Sequence, residues 1–571
     1  MKIKGTGVSP GISIGRAYIL KKTNVVVSGN VTGDNEAKEI EIEKFNRAVV
    51  SAIREVESIK SNISLNLKSE DLDILDTQVE FLGDPQIAED VYEKIRTESK
   101  SADDAVIEVI NAALLMFGSM NDEYLSARAS DIQDIGNRIL RNLNQRESIN
   151  QEFGENTILI AEDIAPSEAI SLDLRKVIGF ATQLGGKTSH TAIIAKAKGI
   201  PAVVNCGSEI SNIKNGDTVI LDGSAGKIIL NPDSETIEIY KAKQVTISNE
   251  QLLLKSLKDR PAITTDGHRV TLYANISDAK ELERVFENGG EGVGLFRTEL
   301  LFMGRDSFPS EEEQFNCYKQ VAIKSKNSPA IIRTLDIGGD KQLPYFGIPH
   351  EDNPFMGYRA IRISLDQKDI FFTQLRAILR ASVFGKLKIM FPMISNLSEV
   401  RQAKECVSQA KGELEQSGVE FDHSIELGIM IEIPSAALMA DILINEVDFF
   451  SIGTNDLCQY TLAVDRMNGK VSALYNHFNP GILRLISYVI EQAHKQNKAV
   501  GLCGEMASDP FAALLLLGMG LDEFSMSARS IPAIKNILIK NSVSKAREVF
   551  KTVMEMDNPE TIIDYLQEVN K

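Results

Sequence analysis

The sequence predicts a multidomain α/β protein: an α/β domain interrupted by an all-helical bundle, then a connecting helix, then a C-terminal (β/α)8 TIM barrel. Three observations carry this reading. At 571 residues the chain exceeds the roughly 250–300 residues at which single cores stop growing. β-like runs at the N-terminus and again from about residue 156 flank more than a hundred residues of helix-period sequence. In the second half, eight strand-like runs lie within about 310 residues, mostly separated by helix-period sequence, and eight β-α units are the composition of a barrel.

Residues 1–22, with "GTGVSPGISIG", are Gly-rich and β-like. Residues 23–143 carry helix-period runs such as "EIEKFNRAVVSAIREVESI", broken at "GDP" (83–85) and "FGSMN" (117–121), which implies about four helices. β-like runs return over 144–230 as "NTILIAEDI", "VIGFATQL", "IPAVVNC", "DTVILDG" and "GKIILNP". The first domain is therefore expected from 1–22 and 144–230, with the bundle inserted. A charged stretch over 231–260 reads as a linker helix. The barrel is expected over 261–571, with strands at "VTLYANIS", "EGVGLFRTE", "AIIRTLDIGGD", "LKIMFPMI", "LGIMIEIPS", "DFFSIGTND", "AVGLCGEMA" and "DEFSMS".

Composition excludes several classes. With 43% hydrophobic and 25% charged residues, and no apolar run near the roughly 18 residues that span a bilayer, no membrane insertion is expected. The start has no apolar signal core, so a cytoplasmic location is expected. Five cysteines without a C-x-x-C pair suggest neither a disulfide framework nor a zinc site. A net charge of −18 argues against nucleic acid, which requires clustered Lys and Arg. Between Asp34 and Arg146 stand 24 acidic and 13 basic residues. That excess either steers a basic protein partner or is an ordinary solvated helical surface.

The stretch "GGKTSHTAIIAKAKG", 185–199, holds the first of only six histidines. Gly185 and Gly186 permit unusual backbone angles, Thr188 or Ser189 can cap a helix, and Gly199 with Pro201 ends it. His190 then falls in a first helical turn, where the dipole attracts anions and keeps the imidazole neutral. Locally it reads either as a capping or packing histidine or as a nucleophile beside a phosphate seat.

In a (β/α)8 barrel, active residues sit at the C-terminal ends of the strands. Those ends present Asn275, Arg297, Arg333 with Asp336, Pro392 and Met393, Glu432, Asn455 with Asp456, and Cys503 with Glu505; Arg359 and Arg466 stand on nearby loops. Glu432 and Asp456, on consecutive strands, match the one or two carboxylates that typically hold Mg²⁺ alongside substrate oxygens. The four arginines supply forked donors for phosphate and carboxylate. Together they describe a pocket for a small, multiply anionic substrate and a divalent cation. Cys503 has no neighbouring histidine to make it a nucleophile; a proton donor or a buried small thiol both fit.

The blocks "GGKTSHTAIIAKAKGIPAVV", "GLFRTELLFM", "IIRTLDIGGDK", "NPFMGYRAIR", "MIEIPSAAL", "FSIGTNDLCQYTLAVDR" and "GLCGEMA" resemble, in order, those of the enzyme I family of the bacterial sugar phosphotransferase system, within the phosphoenolpyruvate (PEP)-utilising enzymes. The resemblance implies that PEP, with Mg²⁺, phosphorylates His190, and that the phosphoryl group passes to a histidine-containing phosphocarrier protein docked on the helical insertion. It implies PEP binding by Arg297, Arg333, Asn455, Asp456, Arg466 and Arg359, metal binding by Glu432 and Asp456, and protonation of the enolate by Cys503. It also implies a homodimer through the barrel. To meet both partners, the phosphohistidine domain is expected to swivel, with hinges near 22–34, 143–156 and 231–261. Pyruvate phosphate dikinase or PEP synthase is the nearest alternative. Both require a nucleotide-binding region ahead of the histidine, whereas 189 residues precede His190 here without a G-x-x-x-x-G-K-[ST] pattern. A non-catalytic carrier-binding scaffold is the other, and the barrel-mouth residues argue against it.

Overall fold

The structure is a computed structural model that describes residues 1–20, 35–63, 79, 81–118, 132, 135, 136, 138–140, 142, 143, 154–162, 164, 176–186, 192, 195, 199–339, 341, 343–347, 351–468 and 470–570. The chain divides into two compact units, Met1–Asn249 and Glu250–Lys571.

The first unit holds an eight-stranded sheet: β1 (Lys2–Lys4), β2 (Thr6–Ser9), β3 (Ile12–Ile19), β4 (Thr157–Ala161), β5 (Val177–Thr182), β6 (Ala202–Val204), β7 (Thr218–Asp222) and β8 (Lys227–Leu230). Their order is β1-β8-β7-β3-β4-β5-β6-β2. The N-terminal β3 lies mid-sheet, parallel to β4 and antiparallel to β7. The sheet is thus completed only after the chain has traversed the helical insertion. All five residues of β4 are buried, as expected of a central strand whose sequence runs apolar rather than alternating. The glycines of the N-terminus have a steric cause: a Cβ on Gly7 would stand 2.2 Å from the Gly223 carbonyl oxygen, and one on Gly223 2.0 Å from that of Ser9.

The insertion contains helices Asn35–Ile63, Pro85–Glu98 and Ala102–Gly118, with further helical positions between 132 and 143. Phe45, Ala52, Val56, Val91, Ile95, Ala105, Val106 and Ile139 are buried in their shared core. The "GDP" break is a helix start: Asp84 accepts from the Gln86 N–H at 2.8 Å, and Pro85 takes the first helical position. In the 185–199 stretch, Gly185 has φ +102° and Gly199 φ +68°. Ala192 and Ala195 are helical and buried. Thr188, Ser189 and His190 lie outside the described residues, as do 21–34 and 144–153, where two hinges were expected. The expected linker is one continuous helix, Ser234–Ser256, and the division between the units falls inside it.

The second unit is a closed barrel of eight parallel strands: β9 (Thr271–Ile276), β10 (Val293–Phe296), β11 (Ala330–Arg333), β12 (Leu387–Phe391), β13 (Leu427–Ile431), β14 (Phe449–Ile452), β15 (Val500–Leu502) and β16 (Glu523–Met526). Each falls within its expected run. Leu295, Ile331, Met390, Met430, Phe449 and Cys503, from six successive strands and their ends, fill the barrel interior. Outside it, capping boxes at Ser310 with Glu313 and at Asn396 with Glu399 start the helices Glu311–Lys324 and Leu397–Gln416.

Lys535 is buried, and its ammonium donates to the carbonyls of Gly289 at 2.8 Å, Lys258 at 3.2 Å and Leu257 at 3.3 Å. Gly289, at φ +77°, admits this approach, because its Cβ would meet Lys258 O at 2.5 Å. The residues that follow helix Ser234–Ser256 are therefore tied to the barrel by one cation. Lys535→Met removes a cation from three carbonyls, of which that of Leu257 keeps the Arg260 N–H and that of Gly289 is left buried. It is expected to lower stability by about 2–3 kcal/mol, read as a lowered urea midpoint of the barrel's transition; an unchanged midpoint contradicts this.

A buried ion network at the barrel mouth

The strand ends deliver their side chains to one rim. Arg333 ends β11; Arg297, Glu432 and Cys503 directly follow β10, β13 and β15; Asn455 and Asp456 lie in the first turn of helix Thr454–Leu462 after β14. Glycine lets these loops crowd together. A Cβ on Gly504 would stand 1.9 Å from Thr454 Oγ1, and one on Gly453 3.0 Å from Glu432 Oε2.

Asp336 is the hub. Its Oδ1 accepts from Arg359 Nε at 2.9 Å, and its Oδ2 lies 3.1 Å from Arg333 Nη2, 3.2 Å from Lys341 Nζ and 3.2 Å from Arg359 Nη2. Arg359 continues to Asp456 Oδ2 at 3.0 Å and to the Tyr460 hydroxyl at 3.1 Å. Glu299 Oε1 accepts from Arg333 Nη2 and, at 2.7 Å, from Lys341 Nζ. Arg333, Asp336, Arg359, Glu299, Glu432 and Asp456 are all buried. Burial opposes ionisation of Asp336, but Arg333, Arg359 and Lys341 outweigh it and hold the carboxyl well below the usual range. Glu299 is likewise lowered against burial, by Arg333 and Lys341. Both arginines are held above their ordinary range, because the facing carboxylates outweigh burial.

Glu432 behaves oppositely. Burial, with Asp456 and Asp336 nearby, pushes it up to about 8, and Oε1 accepts from the Met393 N–H at 2.6 Å. Asp456 Oδ1 is buried without a hydrogen-bond partner among the described residues. Two crowded carboxylates, one with an orphaned oxygen, fit a hard divalent cation that completes its shell with substrate oxygens and water. Among the described residues no group of three or more His, Cys, Asp or Glu side chains gathers to hold a metal; the carboxylate oxygens of this pair are the donor type that Mg²⁺ takes, whereas zinc favours thiolate and imidazole.

Cys503 is buried, and burial pushes its thiol up to about 11. It is therefore protonated near neutrality, as an acid must be before it donates. Its carbonyl accepts from Asn275 Nδ2 at 2.9 Å, and Asn275 Oδ1 accepts from Ser525 at 2.7 Å. Asn275 thus supports the loop. Asn455 and Glu505 pair across two loops, the Glu505 N–H donating to Asn455 Oδ1 at 2.9 Å. Arg297 is exposed and Arg466 half-buried, and neither side chain forms an ion pair among the described residues. The four expected arginines thus split: two are locked to carboxylates and two keep open forks. Pro392 and Met393 follow β12, and the Met393 N–H is the donor to Glu432. His190 lies outside the described residues. The strand-end rule did not pick out Glu299, Lys341 and Tyr460; the first two lie within "GLFRTELLFM" and "IIRTLDIGGDK", a few residues beyond Arg297 and Arg333, and Glu299 reaches across to Arg333.

The family models described as the PEP-utilising enzyme N-terminal, mobile and PEP-binding domains match residues 4–128, 153–226 and 251–543. The chain is similar along its length to proteins named phosphoenolpyruvate-protein phosphotransferase. It is 44% identical over 571 residues to that of Staphylococcus carnosus, covering 100% of this chain and 99% of the relative. Identity is 45% to that of Bacillus subtilis, covering 100% of both. It is 42% over 567 residues to that of Haemophilus influenzae, covering 99% and 98%.

Mn²⁺ titration followed by water-proton relaxation tests the carboxylate pair without turnover. Glu432→Gln and Asp456→Asn are each expected to weaken binding more than about tenfold; unchanged binding in both contradicts the assignment.

Proposed function

The chain belongs to the PEP-utilising enzyme family as a phosphoenolpyruvate-protein phosphotransferase, and on that premise we propose how its residues divide the work. PEP-dependent phosphotransfer in the sugar phosphotransferase system is its activity. The relatives carry that name and are matched over nearly their whole length, which favours this reading over a dikinase or a silent scaffold.

PEP binds at the barrel mouth. Arg297 and Arg466, free of carboxylate partners among the described residues, grip its phosphate and carboxylate oxygens. Arg333 and Arg359 shape the pocket from within the network, with Asn455 and Asp456 at its edge. Glu432 and Asp456 would hold Mg²⁺, which when bound neutralises charge on the phosphoryl and enolate oxygens. His190 attacks phosphorus: a bond forms between a ring nitrogen and phosphorus, the bond from phosphorus to the enol oxygen breaks, and pyruvate enolate departs. Cys503 then gives its proton to the enolate methylene carbon, yielding pyruvate. Phosphoryl transfer is governed by positioning and charge stabilisation, and the buried network provides both. That network is the observation that carries the reading.

The phosphohistidine next donates to the carrier protein's histidine. The acidic helical insertion, with 24 acidic against 13 basic residues over 34–146, suits a basic carrier face. A cytoplasmic location and pairing of two copies through the barrel complete the proposal. Among the described residues no helix is long and apolar enough to cross a membrane.

Incubation with ³²P-labelled PEP and Mg²⁺ is expected to give acid-labile, base-stable label on the wild type and none on His190→Ala; label on that variant overturns the assignment. Cys503→Ala is expected to bind PEP normally but to lower the rate of pyruvate formation by about 10²–10⁴. A raised KM with unchanged kcat would instead mark Cys503 as packing.

A further inference from the structure

Glu299 has no part in the assignments above, yet it stands at the junction of two barrel loops. It opens the short turn Glu299–Leu301, two residues beyond Arg297 on the segment that follows β10. That segment grips the end of β11 twice. Thr298, fully buried, donates through Oγ1 to the Arg333 carbonyl at 3.0 Å, and Glu299 Oε1 accepts from the Arg333 guanidinium. The same oxygen takes Lys341 Nζ at 2.7 Å, while Asp336 Oδ2 takes both cations at 3.1 and 3.2 Å. Two cations and two carboxylates therefore alternate around a square.

Without Glu299, Arg333 and Lys341 would both fall to Asp336, which already shares Arg359 with Asp456, and the unbalanced cations would repel one another in a site sheltered from water. Arg333 is committed through Nη2 to the two carboxylates. Its Nε has no partner among the described residues, and Nη1 has only the Met430 sulfur at 3.7 Å. The carboxylates thus fix one corner of the guanidinium and leave its remaining donors unspent. Because Arg297 and Glu299 share one short segment, the tie to Arg333 also sets the spacing of the two arginines.

We infer that Glu299 is a positioning residue for PEP: through Arg333 and Lys341 it holds the cationic side of the pocket at the separation the substrate requires. This rests on the reading that PEP binds at the barrel mouth. The test uses the full-length protein and measures KM for PEP, KM for Mg²⁺, kcat and thermal midpoint in Glu299→Gln, with Arg333→Met as the control for the site itself. Glu299→Gln is expected to raise KM for PEP at least tenfold and leave KM for Mg²⁺ within twofold, in protein whose thermal midpoint stays within a few degrees of wild type. Wild-type KM for PEP, or a loss that only follows the unfolded fraction, overturns the inference. If Arg333→Met raises KM while Glu299→Gln does not, the barrel-mouth reading stands and the inference falls. If neither moves KM, both fall. Should Glu299→Gln fail to fold, Glu299→Asp carries the test: its charge is withdrawn by one methylene, so at least a threefold rise in KM supports the inference and an unchanged KM overturns it.

Discussion

Asp336 meets three cations, and the rest of the site follows from keeping that encounter neutral. A buried guanidinium is costly unless opposed by a carboxylate with good geometry, and the mouth of this barrel buries two of them together with a partly sheltered lysine. Glu299 and Asp456 supply the remaining counter-charges, so the network extends from the segment after β10, across β11, to the helix after β14. The links among Arg333, Asp336, Lys341 and Arg359 lie within the segment that follows β11, while Glu299 and Asp456 join it to the segments after β10 and β14. The barrel delivers the groups to one rim, and the ion pairs hold the loops in one arrangement.

The network also explains why neighbouring carboxylates differ. Asp336 and Glu299 are surrounded by cations and stay ionised, whereas Glu432 faces Asp456 and Asp336 and is pushed up to about 8. In the proposed function a divalent cation held by Glu432 and Asp456 would relieve that repulsion, and the open forks of Arg297 and Arg466 would take the substrate's anionic oxygens. The charges already paired would then make the pocket's shape, and those left open its affinity. Burial, which opposes ionisation of the carboxylates, also pushes the Cys503 thiol up to about 11, as the proton donor of the proposed function would require.

Much of this was legible in the sequence. All eight barrel strands fall within the apolar runs that marked them, because short buried parallel strands carry mostly aliphatic and aromatic residues. The strand-end rule then found Arg333, Glu432, Asp456 and Cys503. Glu299 and Lys341 escaped it because they sit a few residues into loops, where spacing carries no period, and because an ion pair is a three-dimensional fact. For the same reason the sequence could not separate Arg333 and Arg359, locked to carboxylates, from Arg297 and Arg466. The glycines were readable as turn residues, but not that Gly504 exists to let Thr454 pass at contact distance.

On the proposed function the buried network makes the PEP site independently of the phosphorylated histidine. Calorimetric titration of PEP in the presence of Mg²⁺ into full-length His190→Ala, where no turnover intrudes, measures it directly. Near wild-type affinity is expected there and a loss of at least about a hundredfold when Arg333→Met is added, as removal of a buried charged contact commonly costs about 2–5 kcal/mol. Binding that vanishes in His190→Ala, or persists unchanged in the double variant, would contradict it.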